Sequence, residues 1–248
     1  MSMKLVIIGY GKMGRQIERI ALEQGWSVEM RIRRTEELSV AALGEMDVAI
    51  EFSRPEAAFD NISCCLEAGV PVVCGTTGWT ERLPEAHDLC RRLRGAFLYA
   101  SNFSIGVNLF FAVNRHLANL MDRQPGYGVA IEETHHLQKR DHPSGTALTL
   151  AQGIVRHVGR YEGWVPMMAG GPREDLSTSD FPVVSHREGD VPGTHGVIWT
   201  SATDSITLRH TAFNRQGFAA GALLAARWLV GREGCFGMVD VLQPGTGA

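Results

Sequence analysis

The stretch "KLVIIGYGKMG", residues 4–14, decides the fold. A short apolar run stops at Gly9, and Gly9, Gly11 and Gly14 then stand as G-x-G-x-x-G. A helical pattern follows, with Ile17, Ile20 and Ala21 on one face. Strand, glycine turn and helix in that order suit a dinucleotide. The first glycine permits the tight turn, the second lets a pyrophosphate approach the backbone, and the third lets helix and strand pack closely. The helix N-terminus offers free N–H groups and a positive dipole end. Gly9, Tyr10, Gly11, Lys12, Met13 and Gly14 are therefore candidate cofactor contacts.

Working outward, strand-like runs recur at 26–32, 47–52, 70–75 and 96–101, with helical spacing over 55–69 and 80–95. Short, nearly all-apolar strands alternating with helices predict a Rossmann-type α/β fold, a parallel sheet covered on both faces. The connection between the second and third strands is too brief for a full helix. After Asn102 the texture changes. A long helix is expected over 105–122, a strand over 127–133 and a helix over 144–159. Polar, glycine-containing residues 167–180 read as a mobile loop. "FPVVSHREG", "HGVIWTSA" and "SITLRHTAF" follow as strands, the last two joined by a Thr-Asp-Ser turn, and an apolar helix spans 215–231. The expected organisation is a dinucleotide-binding domain over 1–103 and 215–248, with a second α+β domain over 104–214.

An NAD-preferring loop carries an acidic residue at the end of the second strand. Here that strand ends with Arg31, Arg33 and Arg34. Arginine suits a 2′-phosphate through bidentate, charge-assisted contacts, which tilts the expectation from NADH towards NADPH. Two more loops fall at strand C-terminal ends, where open α/β sheets bind ligands. Gly75, Thr76 and Thr77 lie in one, and Ala100, Ser101, Asn102 and Phe103 in the other. Together they form a candidate wall for the nicotinamide.

Composition narrows the function classes. The 248 residues are 21% charged with a net charge of −3, which argues against a nucleic-acid binder. No apolar run approaches the ~20 residues of a membrane span, and the start lacks a secretory signal's organisation. The five cysteines are odd in number and lack CxxC spacing, as in a reducing, cytoplasmic setting.

A second stretch concentrates ionisable chemistry: "EETHHLQKRDHPSGTAL", residues 132–148. With "EFSRP", "GVPVVCGTTGW", "SNFSIGVN", "REGDVPGTHGV" and "FAAGALLAARWL" in the same order, the sequence resembles the dihydrodipicolinate reductase family along essentially its whole length. The HHxxK…PSGTA block is specific to that family, whereas a stray G-x-G-x-x-G is not. The resemblance implies a substrate domain built on a mixed sheet and a homotetramer assembled through those sheets. It also implies NADH- or NADPH-dependent reduction of a small cyclic dicarboxylate, in the diaminopimelate and lysine pathway. His135 is similar to the family's catalytic acid/base and Lys139 to its proton-donating lysine, while His136, Gly145 and Thr146 match substrate-binding positions. The sequence departs from the family in a short segment between strands two and three. Arg33 also stands where some members carry an acidic ribose ligand, His142 where a small residue is common, and Gln138 where several have a basic one.

The chemistry of these residues fits such a substrate. Ser144 suits a helix start, so the amides of Gly145 and Thr146 would face a carboxylate, with His136 and Lys139 supplying charge. Lys139, with an unperturbed pKa of ~10.4, and His135, at ~6.5, are both candidate proton carriers, and the sequence leaves their division of labour open. Only Glu132, Glu133 and Asp141 lie close enough in sequence to complete a metal site with the histidines, and no metal is expected. Two rivals are an aspartate-dehydrogenase-like enzyme, against which the PSGTA helix start counts, and an NAD(H)-sensing regulator, which lacks a basic DNA-binding element.

Overall fold

The computed structural model describes residues 2–34, 36, 38–170, 176–214 and 216–242. The chain forms two compact units, one from residues 1–105 with the chain from 216 on, the other from 106–215. The first begins with β1 (Lys4–Ile8), α1 (Lys12–Glu23), β2 (Ser27–Ile32), a single helical turn α2 (Val40–Leu43) and β3 (Val48–Glu51). It continues with α3 (Pro55–Glu67), β4 (Val72–Cys74), α4 (Leu83–Leu93) and β5 (Ala96–Tyr99). The short link between β2 and β3 thus holds one turn of helix. Proline stands in the first turn of α3 and of α4, where its missing N–H has no intrahelical partner to lose.

The second unit comprises α5 (Ile105–Met121), β6 (Gly128–His135), α6 (Gly145–His157), β7 (Gly163–Met168), β8 (Asp180–Arg187), β9 (Gly193–Thr200) and β10 (Ser205–Ala212). Its five strands form a mixed sheet in the order β10-β9-β6-β8-β7. β6 runs antiparallel to β9 and parallel to β8. Phe110, Ala118, Ile131, Leu150, Ile154, Phe181, Val183, Val197 and Trp199 form its core.

β7 corrects the expectation of a loop over 167–180. Met167 and Met168 pair with Val184 and Ser185 of β8, because an apolar edge strand runs into the polar segment. Residues 171–175 of that segment lie outside the described residues.

The chain returns to the first unit with α7 (Gln216–Leu229), β11 (Gly234–Phe236) and α8 (Met238–Leu242). The sequence pattern had shown only the helix. β11 adds an edge strand, giving a parallel sheet in the order β11-β5-β4-β3-β1-β2. One face packs on α1 and α7 through Ile17, Ala21, Leu223 and Ala226, the other on α3 and α4 through Ile62, Cys65, Leu89 and Cys90. Burial on both faces explains the unbroken apolar strands. Among the described residues no helix is long and apolar enough to cross a membrane.

Candidate active site

In the first unit, Gly9, Tyr10, Gly11, Arg33 and Arg34 line one cavity of about 930 Å³ together with Arg15, Phe52, Ser53 and Arg54. Gly9 has φ +93°, and a Cβ there would fall 2.1 Å from the Phe52 carbonyl oxygen, so only glycine fits. A Cβ on Gly14 would meet the Gly9 carbonyl oxygen at 2.6 Å, whereas one on Gly11 would meet nothing within 4 Å. The middle glycine thus borders open space. Lys12, Met13 and Gly14 open α1 beside it.

Arg31 is occupied elsewhere. It pairs with Glu18, which also accepts from the Tyr10 hydroxyl, and it donates to the Val28 carbonyl at 3.0 Å. That leaves Arg15 and Arg33, each with its guanidinium 5.8 Å from the Tyr10 ring, and the exposed Arg34 on the cavity. Gly75, Thr76, Thr77 and the 100–103 segment do not line it. They connect to it through neighbours: Phe52 packs against Gly75 and lies 5.6 Å from the Phe103 ring, and the Ser53 amide donates to Thr76 Oγ1 at 2.8 Å. Ala100 donates to the Cys74 carbonyl, Asn102 accepts from the Ser104 amide, and Ser101 and Thr77 are exposed. Sequence reasoning missed Arg15, Arg54 and the buried Glu51, which accepts from Ser53 and Asn61 at the end of β3.

The second unit gathers the ionisable stretch by strand alternation. Val129, Ile131, Glu133 and His135 share the buried face of β6, so that face turns from apolar to ionisable at the strand's end. Register then sets Glu133 opposite Ser185 of β8 and opposite His195 of β9, while His135 faces Arg187. Ser185, Glu133 and His195 thus form a row across three strands. Arg187 and His195 fall in a recognised motif, but no local spacing marked them for this site.

Glu133 is fully buried and well provided with donors. The Ser144 amide reaches both its oxygens at 3.1 Å, the Ser185 hydroxyl donates at 2.8 Å, and Arg187 Nη1 lies 3.6 Å away. Burial opposes its ionisation, but His195, Ser144 and Ser185 outweigh that and hold the carboxyl well below the usual carboxylate range. Ser144 caps α6, its Oγ accepting from the Ala147 amide at 3.3 Å and lying 3.0 Å from His195 Nε2. A Cβ on Gly145 would meet nothing within 4 Å, so the helix start is open beside Thr146.

His135 is buried, its ring 5.0 Å from that of His195. Burial first, and then His195, push its pKa down to about 4, so it is neutral at physiological pH. Lys139 Nζ pairs with both oxygens of Asp141 at 2.8 Å. Arg187 secures this loop by donating to the Lys139 and Asp141 carbonyls, and the His136 amide donates to Val191. His135, Ser144 and Glu133 are thus drawn together, while His136 and Lys139 sit on the loop between. Glu133, His135 and His195 are also of metal-ligating type and lie close together. Oε1 of the carboxylate accepts from the Ser144 amide and the Ser185 hydroxyl and faces Arg187, while Oε2, turned to both histidines, accepts from the Ser144 amide.

The shifts of His135 and Glu133 predict an acid-sensitive fold. Unfolded His135 binds its proton near ~6.5 and native His135 only near 4, so its contribution to stability is lost as pH falls through that window. Glu133 has a depressed native value, so its contribution persists above the unfolded value of ~4.3 and is lost below it. His135→Gln is expected to flatten the pH dependence of urea stability between about 6.5 and 4, leaving the steeper loss below. An unchanged upper limb would contradict the assignment.

The fold and these sites define a Rossmann-type oxidoreductase with a second α+β unit. The family models for the dihydrodipicolinate reductase N-terminus and C-terminus match residues 3–103 and 106–242, respectively. The chain belongs to the dihydrodipicolinate reductase family. It is 44% identical over 241 residues to a 4-hydroxy-tetrahydrodipicolinate reductase of Christiangramia forsetii, covering 97% of this chain and 98% of the relative. Identity to the enzyme of that name from Thiobacillus denitrificans is 34%, covering 98% and 99%. Among solved structures, a dipicolinate-bound dihydrodipicolinate reductase from Paenisporosarcina sp. TG-14 superposes with a TM-score of 0.79 at 24% identity, covering 98% of this chain and all of that one. That likeness bears on the fold.

Proposed function

We propose that this protein reduces 4-hydroxy-tetrahydrodipicolinate to tetrahydrodipicolinate with a nicotinamide nucleotide, in the diaminopimelate and lysine pathway. The relatives' shared name supports the reaction. The observation that carries it is the α6 start, where an open glycine and a capped helix N-terminus lie beside a buried, neutral histidine and a lysine. A dicarboxylate fits there, and the solved relative is named as binding dipicolinate. The Gly145 and Thr146 amides and the Thr146 hydroxyl hold one carboxylate, and His136 supports the substrate from the adjoining loop. His135 and Lys139 carry the proton that accompanies the reduction.

The glycine turn fits the nucleotide: Gly11 borders open space at the helix N-terminus, and arginines line the cavity. A bound nicotinamide nucleotide supplies the hydride. Gly9 to Gly14 hold its pyrophosphate, and Gly75 to Thr77 with Ala100 to Phe103 wall the nicotinamide. Arg33 and Arg34 receive a 2′-phosphate, making NADPH the favoured donor. Copies of the chain assemble as a homotetramer through the mixed sheet, where Ile206 and Phe213 near the β10 edge are 40% and 86% exposed.

The test is a coupled assay. The substrate is generated from aspartate semialdehyde and pyruvate by the preceding synthase, and NADH and NADPH oxidation are followed separately. Oxidation of neither would overturn the reading. Charged hydrogen bonds contribute about 1.5–3 kcal/mol each, so Arg33→Ala is expected to raise the KM for NADPH by about 10–100-fold with little change for NADH. Equal effects on both nucleotides would remove Arg33 from the 2′-phosphate.

A further inference from the structure

Glu133 has no role in the reaction as described, yet it is buried in the second unit's site and accepts from the Ser144 amide and the Ser185 hydroxyl. Its Oε2 lies 3.7 Å from His135 Nδ1 and 3.6 Å from His195 Nε2. Both separations exceed a direct hydrogen bond. A carboxylate buried at that range still favours the ring nitrogen that turns a proton towards it, because little solvent screens the charge. Besides Glu133, the groups facing these rings are two cations, Arg187 of β8, 3.6 Å from Glu133, and Lys139 on the loop after β6, and the His210 imidazole of β10, which lies opposite His195. Neither cation can accept a ring proton, and His210 faces His195 rather than His135 in the register.

We propose that Glu133 is a positioning residue that fixes His135 in the Nδ1–H tautomer and His195 in the Nε2–H tautomer, leaving His135 Nε2 unprotonated for proton exchange. The surroundings agree at both rings. His195 Nε2 lies 3.0 Å from Ser144 Oγ, close enough for an N–H on that nitrogen to donate to the hydroxyl. The same hydroxyl caps α6, so the tautomer is tied to that helix start. His135 Nδ1 is buried without a hydrogen-bond partner among the described residues and faces the carboxylate at 3.7 Å. On the opposite side of the ring, a Cβ on Gly193 would fall 3.0 Å from His135 Nε2, so the absent side chain leaves that nitrogen its room. One carboxylate thus serves two imidazoles, as a buried acid orients a catalytic histidine elsewhere. The inference rests on the proposed function only in giving His135 Nε2 a proton to exchange.

The test is long-range ¹H–¹⁵N correlation of the histidine rings at neutral pH, assigned with His135→Gln and His195→Gln. His135 is expected as Nδ1–H and His195 as Nε2–H in the wild-type protein. In Glu133→Gln, His135 should shift to Nε2–H, with kcat reduced about 100-fold and the nucleotide KM unchanged. Glu133→Asp, which keeps the charge, should restore part of both. Wild-type His135 protonated on Nε2, or tautomers unchanged in Glu133→Gln, would overturn the proposal. If Glu133→Gln fails to fold, wild-type His135 found as Nε2–H still overturns the proposal, and a His135 tautomer unaltered when Glu133→Asp withdraws the carboxylate does so too. The wild-type spectrum is independent of turnover, so an inactive wild-type enzyme would defeat the functional reading and leave this one standing.

Discussion

His135→Gln is expected to lower kcat by ~10²–10⁴-fold, the range for losing a positioned acid or base, while the protein still melts cooperatively at neutral pH. Glutamine retains a polar tip and much of the volume but cannot exchange a proton. Since wild-type His135 is already neutral at pH 7, the substitution removes no charge from the core. Any loss of turnover therefore reports on proton handling. Lys139→Met is the companion experiment. The Lys139–Asp141 pair is held by an exposed aspartate, and such pairs contribute ~0–1 kcal/mol. An anionic substrate can accordingly draw the ammonium away from Asp141 at small cost. If Lys139 delivers the proton, Lys139→Met falls as far as His135→Gln and the double variant falls little further, because both serve one step. Normal turnover by His135→Gln would remove it from the chemistry.

Gly221→Ala is expected to destabilise the first unit severely. This glycine lies in α7, and a Cβ there would fall 1.8 Å from the Phe103 carbonyl oxygen. Alanine would add ~1 kcal/mol of helix propensity, but a main-chain oxygen cannot move aside as a flexible side chain would. Overpacking of this kind costs about 3 kcal/mol or more. At ~2–4 °C per kcal/mol for a chain of this size, the melting temperature should fall by about 6–12 °C. Phe103 is buried and lies 5.6 Å from Phe52, which lines the cavity, so nucleotide affinity should fall as well. A variant with unchanged melting and nucleotide affinity would show that α7 shifts without strain. The run "FAAGALLAARWL" displays a small residue here, but nothing in it reveals which backbone stands against that residue.

That limit separates what was legible from what was not. The sequence by itself determined features set by near neighbours. The glycine turn follows an apolar strand and opens α1, Ser144 caps α6, and unbroken apolar runs declare a sheet buried on both faces. Their causes lie within a few residues: helical and strand periodicity, φ freedom and capping. β7 and β11 were missed because short edge strands carry too little pattern to stand out from the polar and glycine-containing segments around them.

Only the tertiary structure decided that Arg31 pairs with Glu18 and leaves Arg33 and Arg34 on the cavity. It alone brought Ser185 and His195, 52 and 62 residues along the chain from Glu133, to either side of that carboxylate. Strand order and register make those neighbours. A single-residue slip of either strand would turn its side chain to the opposite face, and no local stretch of sequence encodes that choice.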